Sequence, residues 1–378
     1  MVRRILSRAA GSLLLRRWSL VVFGRRWITG MAHETILPAV CFEVFGTAPG
    51  GDGALIEEDY KWPVRIKHIS KPSGGHRHPP LLLARVDHAV VAGDGRVFDR
   101  RHHLIMDSVA THPRTALNPG PFVRSGSDRR AGLHLPLNWW SGIGNVYHWH
   151  RDVLSRAYAL TQIGAHRVTL VVSDELLDYQ RHGVDNLAAM LPGTRILGVP
   201  FGSRTRVESA LVPSLVPYLE GSGYLHPEVA RFVREVTLHG VDVTGPEIPI
   251  LFVSRAACPH RRLSDEAELV ASLRDVAPVT VVEMERSAFR QQVALAARAR
   301  VVAGVFGAGL THAYFARWAG LLEIHSSRSR ETHFATLAAS CRTPYVQVLG
   351  SDSDERQDFT LGAPGIATAT AAVGRMLN

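Results

Sequence analysis

The chain has 378 residues, enough for two ordinary domains, and at 46% hydrophobic and 20% charged it has the composition of a globular protein. Its formal charge of +9 points to a nucleic-acid partner only until the charge is located: residues 1–30 hold seven arginines and no acid, so the rest carries +2, too small a footprint for a phosphate backbone. Cys41, Cys258 and Cys341 lie far apart, which excludes a disulfide framework and a cysteine metal site and suits a reducing compartment.

In residues 1–30 the apolar pieces Leu13–Leu15 and Ser19–Phe23 are interrupted by arginine pairs. They fall short of the ~18 apolar residues a membrane span needs and of a signal-peptide core. Three readings stay open: a basic segment on an anionic membrane surface anchored by Trp18, Phe23 and Trp27, an arginine-rich import peptide, or a functionless stretch, either an unstructured leader or an artefact of start-site choice with true initiation at Met31. From Ile36 to Val123 short strands and turns are expected. Ala84 to Asp99 alternates apolar with polar residues around a D-G turn at Asp94 and Gly95, which predicts a hairpin.

After the glycines at 142 and 144, Asn145 is a good N-cap for a helix whose core stripe is Trp149, Val153, Ala157 and Leu160. Asn145, His148 and Asp152 stand three and four apart on the flank of that stripe, with Tyr147 beside them. A paired His148 and Asp152 suits a general base on an acceptor hydroxyl. It equally suits a surface ion pair worth about 0.2–0.5 kcal/mol, and the residues alone favour this second reading. A strand at Arg167–Ser173, a helix at Glu175–Met190 and a strand at Ile196–Pro200 then predict a parallel sheet. Leu211–Tyr224, rich in Pro and Gly, reads as the start of an interdomain crossing. A helix at His226–His239 follows, and a second domain begins near Pro246.

A strand at Ile248–Ser254 delivers Arg255 to its carboxyl end, where open α/β sheets hold ligands. Arg261 and Arg262 follow in the loop, and Ser264 is the expected cap of a helix with Asp265 and Glu266 in its first turn. Guanidinium forks make Arg255 and Arg261 candidate clamps for a diphosphate; a structural ion pair is the alternative for Arg255. A strand at Val279–Met284 and a helix at Arg286–Arg298 precede V-V-A-G-V-F-G-A-G-L-T-H-A-Y-F-A-R-W-A-G-L-L-E-I-H, Val301 to His325. This reads as strand, tight turn at Gly307, Ala308 and Gly309, helical segment, and second strand closed by Glu323. The turn opens a helix whose N-terminus favours an anion, and Glu323 is placed to accept from ribose hydroxyls; from the turn alone, tight packing is an equal reading. A helix at Arg330–Cys341, a strand at Tyr345–Leu349 and a helix at Ala367–Leu377 complete the chain. Asp352 and Asp354 form a D-x-D, a metal-holding pattern elsewhere, but their polar loop makes solvated carboxylates the expectation.

Three motifs occur in one order: N-x-Y-H-x-x-x-D from Asn145 to Asp152, S-R followed by R-x-x-x-D-E from Ser254 to Glu266, and G-A-G-L-T-H-x-x-F through a glycine to Glu323. Together, over roughly Ala84 to the end, they resemble glycosyltransferase family 61. Asp265 stands where that family usually has Asn, and Phe306 where it usually has His. The resemblance implies an α/β fold of two Rossmann-like lobes facing a cleft (GT-B type): an acceptor-side lobe at 31–222, a nucleotide-sugar lobe at 246–360, and a terminal helix at 361–378 packing back on the first lobe. It implies a hexosyl- or pentosyltransferase that inverts the anomeric carbon, taking a nucleotide sugar (a UDP-sugar is the first choice) to a hydroxyl of a glycan acceptor. His148 and Asp152 are then the catalytic candidates, with Asn145 and Tyr147 shaping their site. Arg255, Arg261, Gly307, Ala308, Gly309, Thr311 and Glu323 would bind the donor. Fixed positive groups on the leaving diphosphate make a metal ion or other cofactor unnecessary in this reading, and no nucleic-acid partner is expected. The expected location is cytoplasmic, with peripheral contact at the inner membrane face through residues 1–30. Two rivals are another sugar-nucleotide enzyme on the same scaffold, such as an epimerase, and a catalytically inactive sugar-nucleotide binder.

Overall fold

The structure is a computed structural model that describes residues 25–26, 31, 33–37, 40–42, 76–78, 80–108, 129–138, 144–163, 167–214, 225–316, 320–327 and 333–378. The leader readings fall outside the described residues except at Arg25–Arg26, a two-residue strand paired in parallel with Leu104–Ile105. Among the described residues no helix is long and apolar enough to cross a membrane. The protein is mixed α/β with parallel sheets, and it divides into two compact units, one within residues 1–39 and 79–220, the other within 40–78 and 221–378.

The first unit is organised on four parallel strands, β1 (Arg129–Pro136), β2 (Val168–Ser173), β3 (Arg195–Val199) and β4 (Arg204–Pro213), in the order β4-β1-β2-β3. A helical run at 146–162 links β1 to β2, and helix α1 (Asp178–Met190) links β2 to β3. On its other side β4 pairs antiparallel with Leu81–Asp87 and Val90–Ala92. The expected hairpin is present: Val90 and Val91 pair with Phe98 and Val97 across the D-G turn, where Gly95 takes a φ of 87° that favours glycine. Val86, Val91, Val171, Val207 and Val212 meet in the core of this sheet.

β4 corrects the sequence reading, which saw only the Pro/Gly-rich residues at its end. Its register shifts between Val207 and Ser209, so a bulge breaks the period-2 alternation that would have marked the strand.

The second unit holds five parallel strands, β5 (Ile248–Val253), β6 (Val279–Val282), β7 (Ala299–Val305), β8 (Gly320–His325) and β9 (Tyr345–Leu349), in the order β6-β5-β7-β8-β9. Counted within the unit this is 2-1-3-4-5, a doubly wound order whose switch point lies between the first and third strands, β5 and β7. The inner strands are buried on both faces, as a sheet covered by helices on both sides requires. Helices α2 (Pro227–Leu238), α3 (Glu266–Arg274), α4 (Phe289–Ala297), α5 (His333–Cys341) and α6 (Gly362–Leu377) complete the unit.

The terminal helix packs within the second unit. Ile366, Ala369 and Val373 of α6 lie in one core with Ile250 and Phe252 of β5, Val301 and Ala303 of β7, and Leu269 and Leu273 of α3. Its buried face therefore belongs to the core of the second unit, where small residues at helical spacing let it seat closely on the sheet.

Candidate functional site

The carboxyl ends of β5 and β7 place Arg255 and Gly307 side by side. A Cβ built on Gly307 would collide with Arg255 Nη1 and lie 3.2 Å from its Cζ. The other glycines of this stretch are closed by packing: a Cβ at Gly309 would press on Val253 Cγ1 at 2.8 Å, and one at Gly304 on the Val253 carbonyl oxygen at 2.7 Å. Arg255 is held from its own loop. Its Nε donates to the Arg261 carbonyl at 3.2 Å and its Nη2 to the His260 carbonyl at 3.1 Å. Glu266, the first residue of α3, accepts from the Arg255 backbone N–H at 3.3 Å and from the Ser254 hydroxyl, which ties the strand end to the helix start.

Arg261 arrives at the same bend, its Cζ 5.5 Å from the centroid of the Phe306 ring. Its φ of 57° lies in the left-handed region that few non-glycine residues occupy. The loop following β9 clamps it there. Arg261 N–H donates to the Arg356 carbonyl, and Arg262 donates to Asp358 from its backbone (2.7 Å), its Nε (2.9 Å) and its Nη2 (2.6 Å). The Arg262 interactions hold the Asp358 carboxyl below the usual carboxylate range.

Several predicted donor residues have other occupations. The glycine turn opens a 3-10 helix, Ala308–Tyr314, of only seven residues, too short for the α-helical dipole expected at this point; positive charge at the bend comes from the arginines. Thr311 is fully buried and donates to the Ala308 carbonyl at 2.6 Å, so its hydroxyl closes the helical turn. Glu323 does not end its strand and is 0% exposed: it accepts from His325 Nε2 at 2.8 Å and from the Tyr345 hydroxyl. A carboxylate so enclosed is not open to a ribose. Burial, then the Glu323 carboxylate, push the Tyr345 phenol well above its usual range, so it remains a donor. Asp265, not Ser264, takes the N-cap position of α3, yet its carboxylate accepts from Leu361 and Gly362 N–H at 2.8–3.0 Å and secures the start of α6. In the D-x-D, Asp354 accepts from the Arg356 and Asp358 backbone N–H groups and Asp352 from the Ser327 hydroxyl, so both carboxylates shape the loop.

The other predicted group lies in the first unit. Asn145 caps the helical run through Oδ1, accepting from Tyr147 and His148 N–H. Trp149, Val153, Ala157 and Leu160 are buried as the spacing predicted. The run is not uniform: Trp149–Val153 forms a π turn, a widening frequent at functional sites. It carries Asp152 off the expected flank into the interior, at 0% side-chain exposure beneath His148 at 22%. His148 Nδ1 donates to Asp152 Oδ2 at 2.8 Å, which leaves Nε2 as the basic nitrogen. Buried Arg151 brings Nη1 within 3.6 Å of Asp152 Oδ1 and lies over the Tyr147 ring. Tyr147 is itself buried, edge-on to His148.

Sequence reasoning missed Arg151, Asp358 and His325. For His325 a signal existed: in E-I-H the period of a strand places it on the same face as Glu323. Nothing local pairs Arg262 with a residue 96 positions away.

A family model described as Glycosyltransferase 61 matches residues 146–319. The match takes in His148, Asp152, Arg255, Arg261 and the glycine turn, and stops short of Glu323. Among solved structures, the bacterial iron-containing dodecameric glycosyltransferase TibC from enterotoxigenic E. coli H10407 is similar at 11% identity, over 65% of this chain and 75% of that one, with a TM-score of 0.29. The dodecameric iron-containing heptosyltransferase TibC in complex with ADP-D-beta-D-heptose is similar at 12% identity, over 75% of this chain and 79% of that one, at 0.28. No curated protein matches. The class of protein is a glycosyltransferase. Residues 146–319 carry the similarity to glycosyltransferase family 61.

Proposed function

We propose that the protein is an inverting glycosyltransferase that moves a sugar from a nucleotide sugar, a UDP-sugar first among them, to a hydroxyl of a glycan acceptor. The observation that carries this reading is the packing of Arg255 against Gly307 at the switch point of the second sheet, within a family 61 segment. Arg255 and Arg261 grip the diphosphate of the donor. His148, oriented by Asp152, takes the proton of the acceptor hydroxyl through Nε2. The acceptor oxygen attacks the anomeric carbon as its bond to the diphosphate oxygen breaks, and the nucleoside diphosphate leaves with the bonding pair. Preorganised guanidinium groups stabilise that developing charge, the task a metal ion performs in other transferases, so activity is independent of added divalent cation. The GT-B arrangement, with one lobe for each half of the reaction, is part of this proposal and rests on the family resemblance. Cytoplasmic work at the inner membrane face belongs to it too, and rests on the basic leader.

A panel of nucleotide sugars tested by thermal shift identifies the donor, because a ligand that binds only the folded form raises Tm. Release of nucleoside diphosphate on addition of an acceptor then measures transfer, and the anomeric configuration of the product reports inversion. A protein that no nucleotide sugar stabilises overturns the reading. Stabilisation without release on any acceptor favours a sugar-nucleotide binder, and abolition of transfer by a chelator refutes metal independence.

A further inference from the structure

We propose that Phe306 is a positioning residue for Arg261, holding its guanidinium at the glycine bend; this rests on the donor-site reading above.

The backbone of Arg261 is fixed in an unfavourable conformation by its own N–H bond to Arg356 and by the three bonds from Arg262 to Asp358. Such strain persists only where the surroundings over-determine it. Those contacts set where the side chain starts and not where its charged end lies. A long arginine samples many rotamers, and ordering it costs entropy that some contact must offset. The Phe306 ring supplies that contact at cation–π distance.

Phe306 is held in turn. Its ring stacks on His325 with centroids 4.5 Å apart and an interplanar angle of 27°, and the edge-on ring of Phe334 lies 5.8 Å away. Its backbone N–H donates to the Ile324 carbonyl, which ties it to β8. His325 is fully buried and anchored by Glu323, whose other oxygen is bonded to Tyr345. Glu323, His325, Phe306 and Arg261 thus form one line of contacts. It runs from the sheet interior to the carboxyl ends of the strands. The acid expected to meet a ribose instead stiffens the support under the second arginine.

The test is isothermal titration of the full chain with inorganic pyrophosphate, which carries the diphosphate group without a base. Phe306→Leu removes the π face at a half-buried position while keeping apolar bulk. It is expected to weaken pyrophosphate roughly tenfold with Tm nearly unchanged. Phe306→Tyr is expected to bind as wild type does. Arg261→Ala combined with Phe306→Leu is expected to bind no more weakly than Arg261→Ala alone, because the ring acts through the arginine. If Phe306→Leu binds normally while Arg261→Ala does not, or if the two losses add, the proposal falls and the donor site stands. If wild type does not bind pyrophosphate, or Arg261→Ala binds normally, the assignment of Arg261 to the donor falls and the proposal with it.

Discussion

The guanidinium of Arg255 occupies the space that a side chain at Gly307 would need. Gly307 has a φ of 170°, extended backbone that any residue adopts, so glycine is required here by its neighbour and not by its own conformation. Gly307→Ala should therefore fold normally and displace the arginine. Affinity for UDP, measured by titration calorimetry, should drop roughly tenfold or more, the loss of a charge-assisted bidentate contact. Arg255→Ala should cause a similar loss, and the double variant should lose no more than Arg255→Ala. Losses that add would show that the two residues act apart.

In the first unit the more accessible member of the pair is half-buried His148, and buried Asp152 orients it. His148→Ala should lower kcat by about 10²–10⁴, the usual contribution of a general base, and leave UDP affinity unchanged. Asp152→Asn should move kcat in the same direction and also spare UDP. A His148→Ala enzyme with full turnover would remove the histidine from the chemistry.

His312 gives the fold a pH dependence. Its ring is fully buried, Nδ1 donates to the Gly309 carbonyl at 2.7 Å, and burial lowers its pKa from an ordinary 6.5 to about 4. Above pH 6.5 both the folded and unfolded forms are neutral and the contribution to stability is complete. As the pH falls towards 4 the unfolded chain binds a proton that the folded chain refuses, and stability drains away. The loss is on the order of 3 kcal/mol from this group. Burial lowers His134 and His226 in the same direction. Urea unfolding across this range should show stability falling with acid, with a shallower slope in His312→Phe.

The carboxylate of Asp265 accepts three hydrogen bonds from the first N–H groups around the start of α6. Asp265→Ala strips that cap and should cost about 1 kcal/mol. Because α6 closes one face of the second sheet, thermal unfolding should show Tm lower by roughly 2–4 °C, with Asp265→Asn losing less. An unchanged Tm in Asp265→Ala would show that the helix start needs no acceptor there.

What could be read along the chain was whatever has a local period or a local cap. Short apolar runs gave the strands of the second unit, alternation around the D-G turn gave the hairpin, and Asn145 with the Trp149 stripe gave the helix start and its buried face. The motif order was enough for the family resemblance, which the family model matches over residues 146–319. Where alternation is broken, as at the bulge in β4, the strand was invisible.

The amino-acid sequence by itself determined the α/β class, the family resemblance and the neighbourhood of the arginines and the glycine turn, because each is built from short local patterns. Only the tertiary structure decided which of these groups are open and which are enclosed. Glu323 and Thr311 face buried partners, Asp152 turns inward on a π turn, and Arg255 and Arg261 meet one glycine bend. The reason is physical: strand order in a sheet sets contacts between residues some fifty positions apart, and no local periodicity encodes that order.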